Sequence, residues 1–141
     1  MSDPLALLPG YALRRASNAM MGRLAKALSV ADLGIAEATV LMSIGERRDL
    51  KSSDLGRILD IRRANMVPLL KRLEDKGLID RIPIDGKSRA LVLTPPGKAV
   101  LREVLRITSQ FEADLLARIP DEHRAHLLPA LNCLWGEGTT E

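Results

Sequence analysis

The chain has 141 residues, of which 46% are hydrophobic, 28% charged and only 2% aromatic; that is enough apolar material for one core with helical extensions, and too few rings for a protein that stacks single-stranded bases. The formal charge of +3 is mild, so a nucleic-acid reading requires the positive charge to be gathered in one place. A single cysteine, Cys133, excludes an intrachain disulfide and fits a reducing cytosol.

The opening Met1-Ser2-Asp3-Pro4-Leu5 has no basic region ahead of an apolar run, so it does not read as a secretory signal. No apolar run approaches the roughly 18 residues of a membrane span. The expected location is therefore the cytoplasm, without membrane association.

Residues 1–10 contain Pro4, Pro9 and Gly10 and read as an arm with at most one helical turn. Tyr11 to about Val30 is predicted helical, because Leu13, Ala16, Met20, Leu24 and Ala27 recur at steps of three and four. Tyr11, Arg14, Asn18 and Met21 run beside that stripe. An Arg and an Asn next to apolar groups suit a carboxylate or thioester head with an aromatic tail, which makes Tyr11, Arg14 and Asn18 ligand candidates. The plainer reading of the same three is packing and surface.

Asp32-Leu33-Gly34 breaks the helix. A second helix is predicted from Ile35 to about Gly45, with Ile35, Val40, Leu41 and Ile44 inward, followed by the charged loop Glu46-Arg47-Arg48-Asp49. A third runs from Lys51 to Leu59 with Leu55, Ile58 and Leu59 as its apolar face and Ser52 or Ser53 as its cap. Asp60 stands where the next turn calls for a left-handed residue.

A fourth helix is predicted from Arg62 to Lys76, with Met66, Leu69, Leu70 and Leu73 inward and Gly77 as its left-handed stop. Ile61 to Leu73 holds Arg62, Arg63, Lys71 and Arg72 and no acid, so this is where the positive charge gathers. Pro68 implies a kink or a late helix start, since proline inside a helix costs on the order of 3 kcal/mol. Leu78 to Ile82 and Ala90 to Leu93 read as strands joined by the tip Asp85-Gly86-Lys87-Ser88-Arg89. Two short helices followed by a ribbon with a basic tip form a winged helix-turn-helix, an arrangement that docks on DNA.

Thr94-Pro95-Pro96-Gly97 begins a fifth helix, with Thr94 as cap and Pro95 at the first helical position. It is predicted to run to about Ile119 with Leu101, Val104, Leu105, Thr108, Phe111, Leu115 and Ile119 in one stripe. A last helix restarts at Pro120 and carries Leu127, Leu128, Leu131, Leu134 and Trp135. These terminal stripes are larger than a central module can cover, which predicts a homodimer. The expected division is thus 1–34 for an N-terminal arm and dimerisation helix, 35–95 for the winged lobe and 96–141 for C-terminal dimerisation helices. The fold class is mainly α with a small β-wing.

Asp54-Leu55-Gly56-Arg57-Ile58-Leu59, Arg63, Leu70-Lys71-Arg72-Leu73-Glu74-Asp75-Lys76-Gly77-Leu78-Ile79 and the block Asp85 to Gly97 resemble the MarR family of bacterial transcriptional regulators. The resemblance implies a dimeric winged-helix repressor on a palindromic operator in double-stranded DNA. It also implies a small-molecule effector, an aromatic acid or its coenzyme A thioester, between the dimerisation helices and the lobe. Three positions depart from the family pattern. Lys87 stands where the wing usually has Arg and cannot fork onto a base or carboxylate, leaving Arg89 to take over the minor-groove contact. Lys51 stands where Thr often caps the third helix. Pro68, with the run from Arg62, looks typical of a subgroup.

The candidate DNA contacts are Ser52, Ser53, Arg62, Arg63, Asn65, Lys71, Arg72, Lys87 and Arg89. Arg63 and Asn65 lie near a helix start, where Arg can pair with guanine and Asn with adenine. Lys71 and Arg72 suit phosphates or the neighbouring Glu74 and Asp75. Ser52 and Ser53 are caps first and phosphate contacts second. Solvated helix and hairpin faces are the plainer reading of the charged residues. Asp85 is expected to order the wing by accepting from Lys87, Arg89 or backbone N–H groups.

His123 and His126 make a poor metal site as two ligands alone, so no metal or other cofactor is expected. Cys133 reads as a packed thiol before a redox switch. With no phosphate loop, ligand cluster or nucleophile elbow, the chain is not expected to be an enzyme. The competing reading is a winged-helix protein-docking module with no DNA target.

Overall fold

The computed structural model describes residues 2–136; Met1 and residues 137–141, the end of the expected C-terminal segment, lie outside the described residues. These hold α1 (Pro9–Leu28), a 3₁₀ turn (Ser29–Ala31), α2 (Ile35–Glu46), α3 (Ser52–Leu59), α4 (Arg63–Asp75), β1 (Ile79–Pro83), β2 (Arg89–Leu93), α5 (Pro95–Ala117) and α6 (Asp121–Asn132). Among the described residues no single helix is long and apolar enough to cross a membrane. The chain divides into two compact units after Ile107.

In the first unit α2 supplies the centre, with Val40 and Leu41 fully buried. Leu55 of α3, the stripe Met66, Leu69, Leu70 and Leu73 of α4, Ile79 and Leu91 of the ribbon, and Val104 and Ile107 of α5 close around it. Glu37 is the one buried charged residue among those described. Its Oε1 accepts from the Gly34 N–H (3.2 Å) and its Oε2 from Lys76 Nζ (3.0 Å). Lys76 also donates to the Asp32 carbonyl at 2.6 Å. The end of α4 is thereby tied to the left-handed corner at Asp32 (φ 55°) that separates α1 from α2.

The turn between α3 and α4 forms as expected. Asp60 is left-handed (φ 52°), and the Ile61 N–H donates back to the Gly56 carbonyl at 2.9 Å. Gly77 (φ +72°) ends α4, with its N–H on the Glu74 carbonyl and that of Leu78 on the Leu73 carbonyl, the paired closure that a left-handed residue permits. β1 and β2 pair antiparallel with Arg81 opposite Leu91. The free edge of β2 is fastened by the Leu91 N–H donating to the Leu50 carbonyl at 2.8 Å.

Thr94 does two jobs at the start of α5. Its hydroxyl accepts from the Gly97 N–H and donates to the Gly77 carbonyl. Gly97 has no substitute there, since a Cβ would lie 1.9 Å from the Leu78 carbonyl oxygen.

Three expectations need correction. Neither Ser52 nor Ser53 caps α3, because both lie inside its first turn; Lys51 holds the cap position, and Asp54 reaches back to accept its N–H at 3.0 Å. Ile58 is 43% exposed rather than inward, since the short helix can turn only Leu55 and part of Leu59 to the core. The late helix start offered as one account of Pro68 does not occur: α4 begins at Arg63 and continues through it. Leu13, at 40% exposure, and Ala16 are uncovered in this chain, as a helix reserved for a dimer would be, and the stripe of α1 meets the core only through the partly buried Leu24 and Ala27.

The second unit contains the end of α5 and α6. Arg124 closes α5 by donating to the carbonyls of Leu116, Ala117 and Ile119. None of its described residues is buried, and Leu128, Leu134 and Trp135 are all well exposed. Cys133 is exposed at the end of α6 rather than packed, because this chain alone supplies nothing to cover that end. His123 and His126 are also exposed.

Candidate nucleic-acid interface

The buried stripe of α4 turns the remaining residues of that helix outward. Arg62 is its cap residue and Arg63 its first residue, and both are exposed. No side chain caps this end. The first turns of α2, α3 and α6 carry Glu37, Asp54 and the pair Asp121 and Glu122, whereas that of α4 carries no acid. A helix start concentrates partial positive charge on its free N–H groups. Two arginines there are unfavourable within the chain and favourable once an anion arrives.

The other cations sort by partner. Among the described residues Arg57 pairs with Asp54, Lys71 with Asp75 at 3.5 Å, Lys76 with Glu37 and Arg81 with Glu74 at 2.7 Å. Arg62, Arg63, Arg72, Lys87 and Arg89 have no ion-pair partner among those residues and are all exposed. The chain thus neutralises Lys71 and Lys76 toward the end of α4 and leaves open Arg72, the two arginines at its start and the wing cations. Lys71 takes the alternative of pairing with Asp75, though the pair is exposed and weak.

Asn65 is exposed one residue short of the buried Met66. Ser52, Ser53, Arg57, Arg63, Val67 and Arg81 line one groove of about 620 Å³ beside α3 and α4. Ser52 and Ser53 therefore share a surface with Arg63, although they cap nothing. Arg81 was not legible as part of this surface. Its signal is its place on β1 opposite Leu91, which lets it reach Glu74 and hold the ribbon beside α4.

At the wing tip Asp85 accepts from the backbone N–H groups of Ser88 (3.1 Å) and Lys87 (3.5 Å), and the Ile84 N–H donates to the Ser88 carbonyl. The Asp85 hydrogen bonds are to the backbone and not to the side chains of Lys87 or Arg89. They hold its carboxyl below the ordinary carboxylate range, the Ser88 N–H contributing most. The same effect at Asp54 comes first from the Lys51 N–H and then from the Arg57 guanidinium. Both acids are thus committed to local structure, and the wing presents Lys87 and Arg89 outward.

The ligand candidates lie on α1. Arg14 and Asn18 are exposed one turn apart, while Tyr11 is half-buried. The Arg15 guanidinium sits 4.4 Å from the centre of the Tyr11 ring and pairs with Asp3 at 2.6 Å. That stacked arrangement was not apparent from the helical stripes. Arg15 keeps company with Tyr11 through the intervening turn, four residues on, as helix neighbours do.

Residues 33–90 match the family model described as MarR family. A transcriptional regulatory protein for the hcr operon of Thauera aromatica is 29% identical over 130 residues, covering 89% of this chain and 78% of that protein. The transcriptional repressor CouR bound to p-coumaroyl-CoA superposes with a TM-score of 0.87 at 27% identity, covering 97% of this chain and 98% of that one. CouR bound to a 23-mer DNA duplex does so with a TM-score of 0.84 at 26% identity, covering 95% and 99%.

Proposed function

We propose that the chain, which matches the MarR family model over residues 33–90 and resembles CouR along most of its length, is a MarR-type winged-helix regulator, a homodimeric, ligand-responsive repressor that binds double-stranded DNA. Residues 35–95 form the DNA-binding lobe, and the helices of 1–34 and 96–141 form the dimer. Two-fold symmetry sets two α4 helices on two half-sites about 34 Å apart. The observation that carries this reading is the distribution of charge on α4 and the wing. Arg62, Arg63, Arg72, Lys87 and Arg89 face outward without acidic partners among the described residues, over a helix whose other face is buried.

Within that reading Arg63 and Asn65 address base edges, while Arg62, Lys71, Arg72, Ser52 and Ser53 address phosphates. Lys87 and Arg89 carry the wing contact. Replacing Arg63 by Ala is expected to weaken a specific site by roughly 1–3 kcal/mol, measured by titration against the site and against random duplex.

The effector is an aromatic acid or its coenzyme A thioester, met by Tyr11, Arg14 and Asn18. The likeness to CouR, seen with p-coumaroyl-CoA, supports that class. Release requires the effector to bind the DNA-incompetent dimer better than the competent one. The test is a mobility shift on DNA flanking the protein's own gene, with and without a panel of aromatic acids and their thioesters. Binding released by one compound supports the whole reading. Failure to bind that DNA, with no salt dependence on random duplex, points instead to a protein-docking module.

A further inference from the structure

The N-terminal half of the face of α4 that points away from the core is apolar, not basic. Its buried stripe lies at positions 66, 69, 70 and 73, so the opposite face at helical spacing is Ala64, Pro68, Lys71 and Asp75, with Val67 at its edge and the charged pair confined to the C-terminal half. Ala64 and Pro68 are exposed, and Val67 is 58% exposed. Arg63 flanks this patch on one side and Asn65 on the other.

Nothing inside the chain accounts for that choice of residues. A β-branched side chain is a poorer helix former than Ala. A proline at the sixth residue of a helix removes the bond to the carbonyl of Ala64 and costs more still. Both stand on the open side of the helix, to either side of the line through Ala64, where little packing repays them and where a straight-chain polar residue would stabilise the helix and its solubility better.

Resting on the DNA-binding reading above, we propose that Val67 and Pro68 are specificity-determining residues that read thymine 5-methyl groups in the major groove. The methyl is the one apolar mark that a base pair presents there, and small apolar side chains are what contact it. The geometry fits a helix whose polar base-reading residues stand to either side of an apolar centre. Arg63 and Asn65 reach hydrogen-bonding edges on each flank, and the ridge between them meets a methyl. The acids Glu74 and Asp75 fall at the far end of the helix, so its N-terminal half enters the groove. A polar residue in place of the ridge would tolerate cytosine there; an apolar one disfavours it, because the cytosine amino group would lose its water without gaining an acceptor.

The test uses the full chain and a duplex it selects from a random-sequence library. Each thymine is replaced in turn by deoxyuridine, which lacks only the methyl group, and affinity is read by mobility shift at one salt concentration. Replacement is expected to weaken binding about fourfold at one or two thymines in each half-site, the effect of exposing one buried methyl-sized group, and to change nothing elsewhere. In Val67→Ala or Pro68→Ala the sensitive thymine loses its effect, whereas in Arg63→Ala it keeps it. Both substitutions are on an open face and favour the helix, so loss of folding does not confound them. Tight binding with a flat deoxyuridine profile, or the same profile in both ridge variants, overturns this inference and leaves the DNA-binding reading standing. No selected duplex, with salt-independent retention of random DNA, overturns both.

Discussion

Residues 35–93 and residues 108–136 carry leucines at the same helical and strand spacings, yet they end in different states. In the first segment Leu41, Leu55 and Leu73 are buried against one another's elements. In the second no described residue is buried, and Leu128, Leu134 and Trp135 remain 67%, 68% and 62% exposed. Periodicity decides only which side of a helix is apolar. Whether that side is covered depends on a facing surface, and the lobe contains its own while the second unit does not. The lobe is therefore a finished core, and the second unit leaves its apolar side open among the described residues.

Four changes break or sharpen this contrast. The largest effect is expected from Leu128→Asp with Leu134→Asp. Each leucine buried in a dimer contributes about 1.5–3 kcal/mol, so the pair should convert the protein to monomers in sedimentation velocity and remove the concentration dependence of thermal unfolding. An unchanged sedimentation coefficient would show that this face is not the interface. On the other side of the contrast, Gly97→Ala should damage the lobe itself. The added Cβ meets backbone at Leu78 rather than a movable side chain, and a loss of roughly 3 kcal/mol or more is expected from denaturant unfolding.

A smaller effect belongs to the tie between the lobe and α1. Lys76→Met leaves Glu37 without its cation and the Asp32 carbonyl without its donor. About 1–2 kcal/mol of stability should be lost, since Lys76 is itself one-third exposed and partly hydrated. Glu37→Gln in the same background should recover part of it, because the uncompensated charge is then gone; a fully additive double mutant would deny the coupling.

The smallest effect is at the wing tip. The folded-state pKa of Asp85 is depressed, so its contribution is present above the unfolded value and lost as pH falls through the folded one. The Ser88 and Lys87 amide resonances should be constant from neutral pH through the ordinary carboxylate range and move only at more acid pH. In Asp85→Asn that low-pH step should vanish.

Much of the fold was legible because local rules and the tertiary structure agree. Asp60 and Gly77 take left-handed backbone where the turn and helix stop need it. Thr94 caps α5, and the stripe Met66, Leu69, Leu70 and Leu73 is buried as its spacing implies. The errors fall where two local signals compete. Ser52 and Ser53 are good cap residues by type, but Asp54 three residues beyond Lys51 reaches the cap N–H first. Ile58 continues an apolar pattern on a helix of eight residues, too short to bury more than one line. On α4, selecting residues by charge highlighted Arg63, Asn65, Lys71 and Arg72 and passed over the apolar ridge between them. The ridge emerges only when the outward face is taken as the complement of the buried one.

Composition and spacing by themselves determine that this is a mainly helical chain with a winged helix-turn-helix and a basic fourth helix. Backbone conformation and side-chain periodicity are set by residues a few positions apart, so they can be read without a structure. The tertiary structure alone decides which cations are free. Arg81 finds Glu74 across the ribbon, and Lys76 finds Glu37 from 39 residues away, while Arg62, Arg63 and the wing cations find no acid among the described residues. Coulomb attraction depends on distance in space and not along the chain, so only the folded chain separates the charges it uses internally from those it leaves for another molecule.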